Sequence, residues 1–266
     1  MENQLVFRNQ TILMQRLADL MRHGYGHYTS GTIACEKVIV LCTKFDKLYF
    51  LSDNKARRNY RKSKGLGNAF LLLADLHKNR TLTWWLLVTA GEHPAHKLEQ
   101  LLHAQHRAQR IRIAGYELVQ LPKEKRHVPL HKRNDGEVRW TWRMTDELYL
   151  AWRDKIKSAF RAKNVSVHVH ELVTALYQTP GFGRARAQVA KLVVMLQESW
   201  LRAGQNPTNL RLPATLPVVR RLADDNYTVC DWLRENNVAQ HRAETAHERI
   251  DAPSTKVGMK KSTKAQ

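Results

Sequence analysis

Between Thr81 and His170 the apolar residues switch repeatedly between two spacings, and that switching restricts the folds open to this chain more than any other feature. Thr81 to Thr89 is dense in Trp, Leu, Val and Thr, residues that suit a pleated surface, and reads as a strand. Pro94 to Arg110 sets Leu98, Leu101, Leu102 and Ala108 on one helical face. Arg112 to Leu121 reads as a strand pair broken at Gly115. Asn134-Asp135-Gly136 is a hairpin-type turn, and Glu137 to Met144 alternates as a strand. Thr145-Asp146-Glu147 is a good helix start, for a helix running to about Lys163.

Val165 to His170 then alternates again, which completes the order strand, helix, strand, strand, helix, strand. That order predicts an α+β fold with a ferredoxin-like (βαββαβ) antiparallel sheet, helices on one face and the other face open. The last strand has an equal competitor. Leu172, Val173, Leu176 and Tyr177 continue from Val169 at helical spacing, and Ser166 can serve as an N-cap that puts both histidines on a first helical turn. Both readings stand on the sequence alone.

The flanks read as helical. Leu5, Ile12, Leu13, Leu17, Leu20 and Met21 form one stripe. Val38, Leu41, Cys42, Phe45, Leu48 and Tyr49 form a second, and Phe70 to Leu76 resumes an apolar helix. After Glu171 the pattern is helical throughout, with a glycine turn at 179–183, a long helix carrying Val189, Leu192, Val193, Leu196 and Trp200, and helices near 214–223 and 228–236. The expected organisation is an α+β domain over 1–165 (helical 1–78, sheet-containing 81–165), a small all-helical domain over 166–238, and a basic disordered tail over 239–266.

Charge then narrows the partners. The 266 residues carry 44 Lys and Arg against 24 Asp and Glu, a net charge of +20. A folded chain with that surplus is expected to grip a polyanion, because each neutralised phosphate releases counterions. The positive residues come in separate clusters: Lys55, Arg57, Arg58, Arg61, Lys62 and Lys64; the loop residues Lys123, Lys125, Arg126, Lys132 and Arg133; and Arg184 with Arg186 at the start of the long helix. Those arginines with free helical N–H donors suit a phosphate, and the glycine-linked helix pair has the outline of a helix-turn-helix or of an ordinary helical hairpin. If the sheet has an open face, alternation puts Trp85, Arg139 and Arg143 on it as a stacking and clamping platform; otherwise Trp85 covers core beneath the N-terminal helices.

The catalytic signals are thinner. His168-Val169-His170 is similar to the His-hydrophobe-His motif of single-strand nicking and rolling-circle enzymes. There, two histidines on one strand face hold a divalent metal, Mg or Mn, and a tyrosine attacks the phosphate. Tyr60, beside Arg61 and Lys64, is the best-placed tyrosine for that role. His96, Glu99, His103 and His106 fall on one face of the expected 94–110 helix, where a polar face outweighs a metal site. No phosphate-binding P-loop, dinucleotide fingerprint or nucleophile elbow occurs, which disfavours an ATPase, a dehydrogenase or a common hydrolase.

Three cysteines without a C-x-x-C fit a reducing cytoplasm. No apolar run approaches the ~20 residues of a membrane span, so no membrane partner is expected. The expectation is a cytoplasmic nucleic-acid-binding protein of bacterial or mobile-element type, plasmid replication included, with DNA slightly ahead of RNA and no cofactor. Two alternatives stay open: the metal-dependent nicking endonuclease, and a basic scaffold that docks an acidic protein.

Overall fold

A computed structural model describes residues 4–76, 79–121, 139–224 and 226–236. Its elements are β1 (Val6–Phe7), α1 (Gln10–Arg22), β2 (His27–Ala34), α2 (Val38–Tyr49), α3 (Lys55–Ser63), β3 (Ala69–Ala74) and β4 (Thr81–Val88). They continue with α4 (Ala95–Leu98), β5 (Leu102–His103), β6 (Arg112–Ile113), β7 (Tyr116–Gln120), β8 (Trp140–Met144), α5 (Asp146–Ala159), α6 (Val165–Tyr177) and α7 (Gly183–Arg202). The class is α+β, but the strands divide between two sheets. One is five-stranded in the order β1-β3-β4-β2-β5, with β1 parallel to β3 and the other pairs antiparallel; the second is the antiparallel meander β6-β7-β8.

This departs from the ferredoxin-like expectation in three places. The N-terminal part is not all helical: residues 27–34 and 69–74 are strands. They pair with β4 on either side, and backbone pairing to a distant segment outweighs a short apolar run that suits either state. The expected 94–110 helix is one turn, because Leu98 finds no apolar surface to cover and stays 60% exposed. Residues 165–170 open α6: Val169, Val173 and Leu176 bury at helical spacing, while Val167, which a strand would have shared with them, is left 55% exposed.

The face with Leu82, Leu86 and Val88 buries against Val38, Cys42, Phe45 and Tyr49 of α2, as alternation predicts. The opposite face is covered as well. Leu72, Trp85 and Leu87 pack with Leu13, Leu17 and Met21 of α1. The same core continues into the second sheet, where the Trp142 indole donates to the Met14 carbonyl at 2.8 Å. The α7 helix lies along the edge of β8, and the Gln188 side chain takes the place of a neighbouring strand. It accepts from Met144 N at 2.7 Å and donates to Met144 O at 3.2 Å.

The β6–β7 hairpin turns on Ala114 and Gly115, at φ 46° and 81°, the pair of positive values that a tight two-residue hairpin requires. Residues 214–223, expected as a helix, are irregular, and buried Gln15 of α1 satisfies their backbone. It donates to Arg220 O at 2.6 Å and accepts from Leu222 N at 3.1 Å. Residues 229–236 are helical, and the segment ahead of them closes on the first strand, with Val6 N donating to Tyr227 O and Val229 N to Gln4 O. No helix among the described residues is long and apolar enough to cross a membrane. The 123–133 loop and the 239–266 tail lie outside the described residues.

Candidate nucleic-acid interface

The α3 helix buries no residue, so hydrophobic packing does not hold it. Polar ties do. Asn54 caps it by accepting from Arg57 N at 2.9 Å, Arg58 Nη2 donates to Leu51 O at 2.7 Å, and Arg61 Nε donates to Gly67 O at 3.1 Å. The guanidinium of Arg58 lies over the Phe70 ring and that of Arg61 over Phe50, at 5.1 and 4.8 Å from the centroids. Asn68 ties the helix to the sheet: its side chain donates to Arg58 O and its backbone N–H to Thr89 Oγ1. Two arginines thus fasten the helix, and Lys55, Lys62 and Lys64 project outward. Arg57 pairs with Asp53 at 3.3 Å, and no carboxylate among the described residues pairs with the other five cations of the cluster.

Between α3, the C-terminal end of α1 and the near ends of β3 and β4 lies an open groove of about 690 Å³. Lys55, Arg58, Lys62, Tyr25 and Phe70 line it, and no acidic residue among the described ones does. The two rings meet edge to face, with centroids 6.3 Å apart. Burial raises the Tyr25 pKa, partly offset by Arg58, so the hydroxyl stays protonated. Gly91 at φ 105° closes the far end. A β-carbon there would stand 2.5 Å from Gly65 O, so only glycine lets the two backbone segments cross.

A second arginine cluster has a different construction. Glu117 on β7 is only 3% exposed and sits directly across the ladder from Arg143 on β8. Its carboxylate takes Arg143 Nε at 2.5 Å and Arg110 at 2.9 Å, with Arg112 at 3.9 Å. Arg143 also reaches Asp146 at 3.3 Å. This corrects the platform expectation: Arg143 is consumed in a buried ion-pair network, and Trp85, buried between β4 and α1, presents no face to a base. Arg139 is exposed just ahead of β8. Arg184 and Arg186 are exposed in the first turn of α7, where no side chain caps the free N–H groups. Lys123, Lys125, Arg126, Lys132 and Arg133 lie outside the described residues.

The paired histidines do not form the strand geometry. On helical α6, positions two apart point roughly 200° from each other, not to one side. His170 Nδ1 donates to Ser166 O at 2.6 Å, and His168 faces Glu171 at 3.4 Å. Tyr60 is exposed on α3, with Lys64 near its ring. Three of the histidines expected on one face of the 94–110 helix, His96, His103 and His106, instead gather around His27 of β2. His27 lies within 5.0 Å of His96 and 4.7 Å of His103, and His103 within 4.9 Å of His106, centroid to centroid. Burial, then the neighbouring imidazoles, lower the pKa of His27 and His103. Among the described residues no group of three or more His, Cys, Asp or Glu is arranged to hold a metal ion.

Sequence reasoning found the cations of α3. It missed Tyr25, Asn68, Phe70 and Thr89, which come from three separate segments and carry no shared motif. Compared with known proteins, the chain matches no family model, no curated protein and no solved structure.

Proposed function

We propose that this protein binds nucleic acid through phosphate contacts made chiefly by α3. The observation that carries the reading is a helix that buries no residue, with six cations in and just after it. Among the described residues only one of them is ion-paired, and the helix faces a groove that no described acid lines. Holding unpaired like charges together costs stability unless an anion arrives to balance them. Arg184 and Arg186 at the α7 N-terminus, and exposed Arg139, supply further phosphate contacts. Duplex and single-stranded DNA, and then RNA, are the candidate polymers.

The test is fluorescence anisotropy with labelled single- and double-stranded DNA and RNA of equal length over a series of salt concentrations. The logarithm of affinity should fall linearly with that of salt. The double variant Lys55→Gln/Lys62→Gln should lower affinity by about ten-fold and flatten the single-strand slope by about 1.4. Failure to bind any oligonucleotide at low salt overturns the reading. Binding that an acidic protein displaces and oligonucleotides do not would transfer it to a protein-docking role.

A further inference from the structure

The groove beside α3 holds more than a phosphate site needs. Its volume of about 690 Å³ falls within the ~300–1,000 Å³ typical of small-ligand sites, many times the space of one anion. Its lining also joins two kinds of group, cations and aromatic rings. Lys55 and Lys62 offer mobile ammonium groups, and Arg58 offers a fixed guanidinium whose Nε is buried without a hydrogen-bond partner. Phe70 and Tyr25 line it too, with Leu20 and Leu66 beside them, and the Arg58 guanidinium lies over the Phe70 ring. The Asn68 and Thr89 side chains and the Tyr25 hydroxyl add polar groups.

We propose that this groove accepts a single unstacked nucleotide, its base against Phe70 and Tyr25 and its phosphate held by Arg58, Lys55 and Lys62. Aromatic rings and phosphate-binding cations within one cavity match the two halves of a nucleotide. A duplex keeps its bases stacked inside the helix, so the partner with a base to offer is a single strand, or a free nucleotide of the same chemistry. For the strand, the inference rests on the nucleic-acid reading above; for the free nucleotide, it stands independently.

The experiment places one 2-aminopurine within a short single-stranded DNA and follows its emission on binding, alongside calorimetric titration with adenosine monophosphate. Ala90 is an exposed residue lining the groove, so Ala90→Trp obstructs the cavity without touching the core or the α3 cations. Phe70→Leu removes the ring, and Ala90→Trp carries the test if that variant folds poorly. The wild-type emission should change by about two-fold or more, and Ala90→Trp should abolish the change while leaving overall strand affinity within about three-fold. A strand that binds with unchanged 2-aminopurine emission, with no heat from the mononucleotide, overturns the inference and leaves the phosphate reading standing. No strand binding, together with mononucleotide binding that Ala90→Trp removes, overturns the phosphate reading and supports the groove as a nucleotide site.

Discussion

Two parts of this molecule gather arginine, and they do opposite things with it. Around Glu117, three guanidinium groups converge on one buried carboxylate, and the charge is spent inside the protein joining β7, β8 and the start of α5. On α3, six cations share one carboxylate, and the arginines that are anchored use carbonyl oxygens and aromatic rings, which leave their charge uncompensated. Counting basic residues cannot separate these cases, because the answer depends on whether an acid lies opposite in space. The buried carboxylate makes one cluster architecture; its absence makes the other a binding surface.

The widest separation between the two should come from Glu117→Ala. Removing the one buried carboxylate that pairs with them among the described residues leaves three guanidinium groups confronting one another, at a cost of about 3–5 kcal/mol. Calorimetry should record a midpoint lower by about 10 °C, with oligonucleotide affinity unchanged at a temperature where the variant is folded. An unaltered midpoint would mean that these arginines are free for a ligand, and the contrast with α3 would disappear.

Acid probes the comparison differently, since it charges histidines and leaves every arginine as it was. Burial, aided by Arg61, pushes the His93 pKa down to about 4; His27 and His103 are lowered too. The unfolded chain therefore binds more protons than the native one between pH ~6.5 and ~4, so native stability is complete above that window and lost as pH falls through it. The midpoint should drop by about 5 °C between pH 7 and pH 4.5, and His93→Gln should flatten the profile. Binding at α3, measured while the protein remains folded, should not weaken over the same range; if it does, the histidines and not the α3 cations govern the contact.

The smallest effect belongs to Arg57, the one member of α3 with an acidic partner. The Arg57 side chain is 71% exposed but the Asp53 carboxylate only 12%, so Arg57→Gln should cost about 1 kcal/mol in chemical denaturation. The salt slope for single strands should flatten by about 0.7, as for the loss of one phosphate contact. A larger stability loss would place Arg57 with the structural arginines.

What the sequence made legible follows the same division. The cations of α3 were readable because exposure requires nothing of the rest of the chain. The β6–β7 hairpin, the start of α5 at Thr145 and the inward face of β4 were readable because local turn chemistry, capping and alternation specify them. Arg143 was misread because the acid that neutralises it is fixed only by the β7–β8 register. Trp85 stood open between a platform and core beneath the N-terminal helices; the apolar run Trp84 to Val88, the mark of a strand covered on both sides, agrees with the second, which the structure has. Residues 69–74 lack β-branched side chains and pass for a helix until β4 is set beside them. The groove was invisible for a related reason: its walls come from segments that meet only after folding.

The closure of the first strand by Tyr227, Val229 and Trp232 has a consequence for biosynthesis. During translation, β1 emerges well before the residues that cover its edge and fill the apolar space beside it. Until then the nascent protein carries an unprotected strand edge, the kind of surface that recruits other chains. A product truncated before Tyr227 would keep that edge permanently, so protection of β1 waits on a segment far along the chain from it.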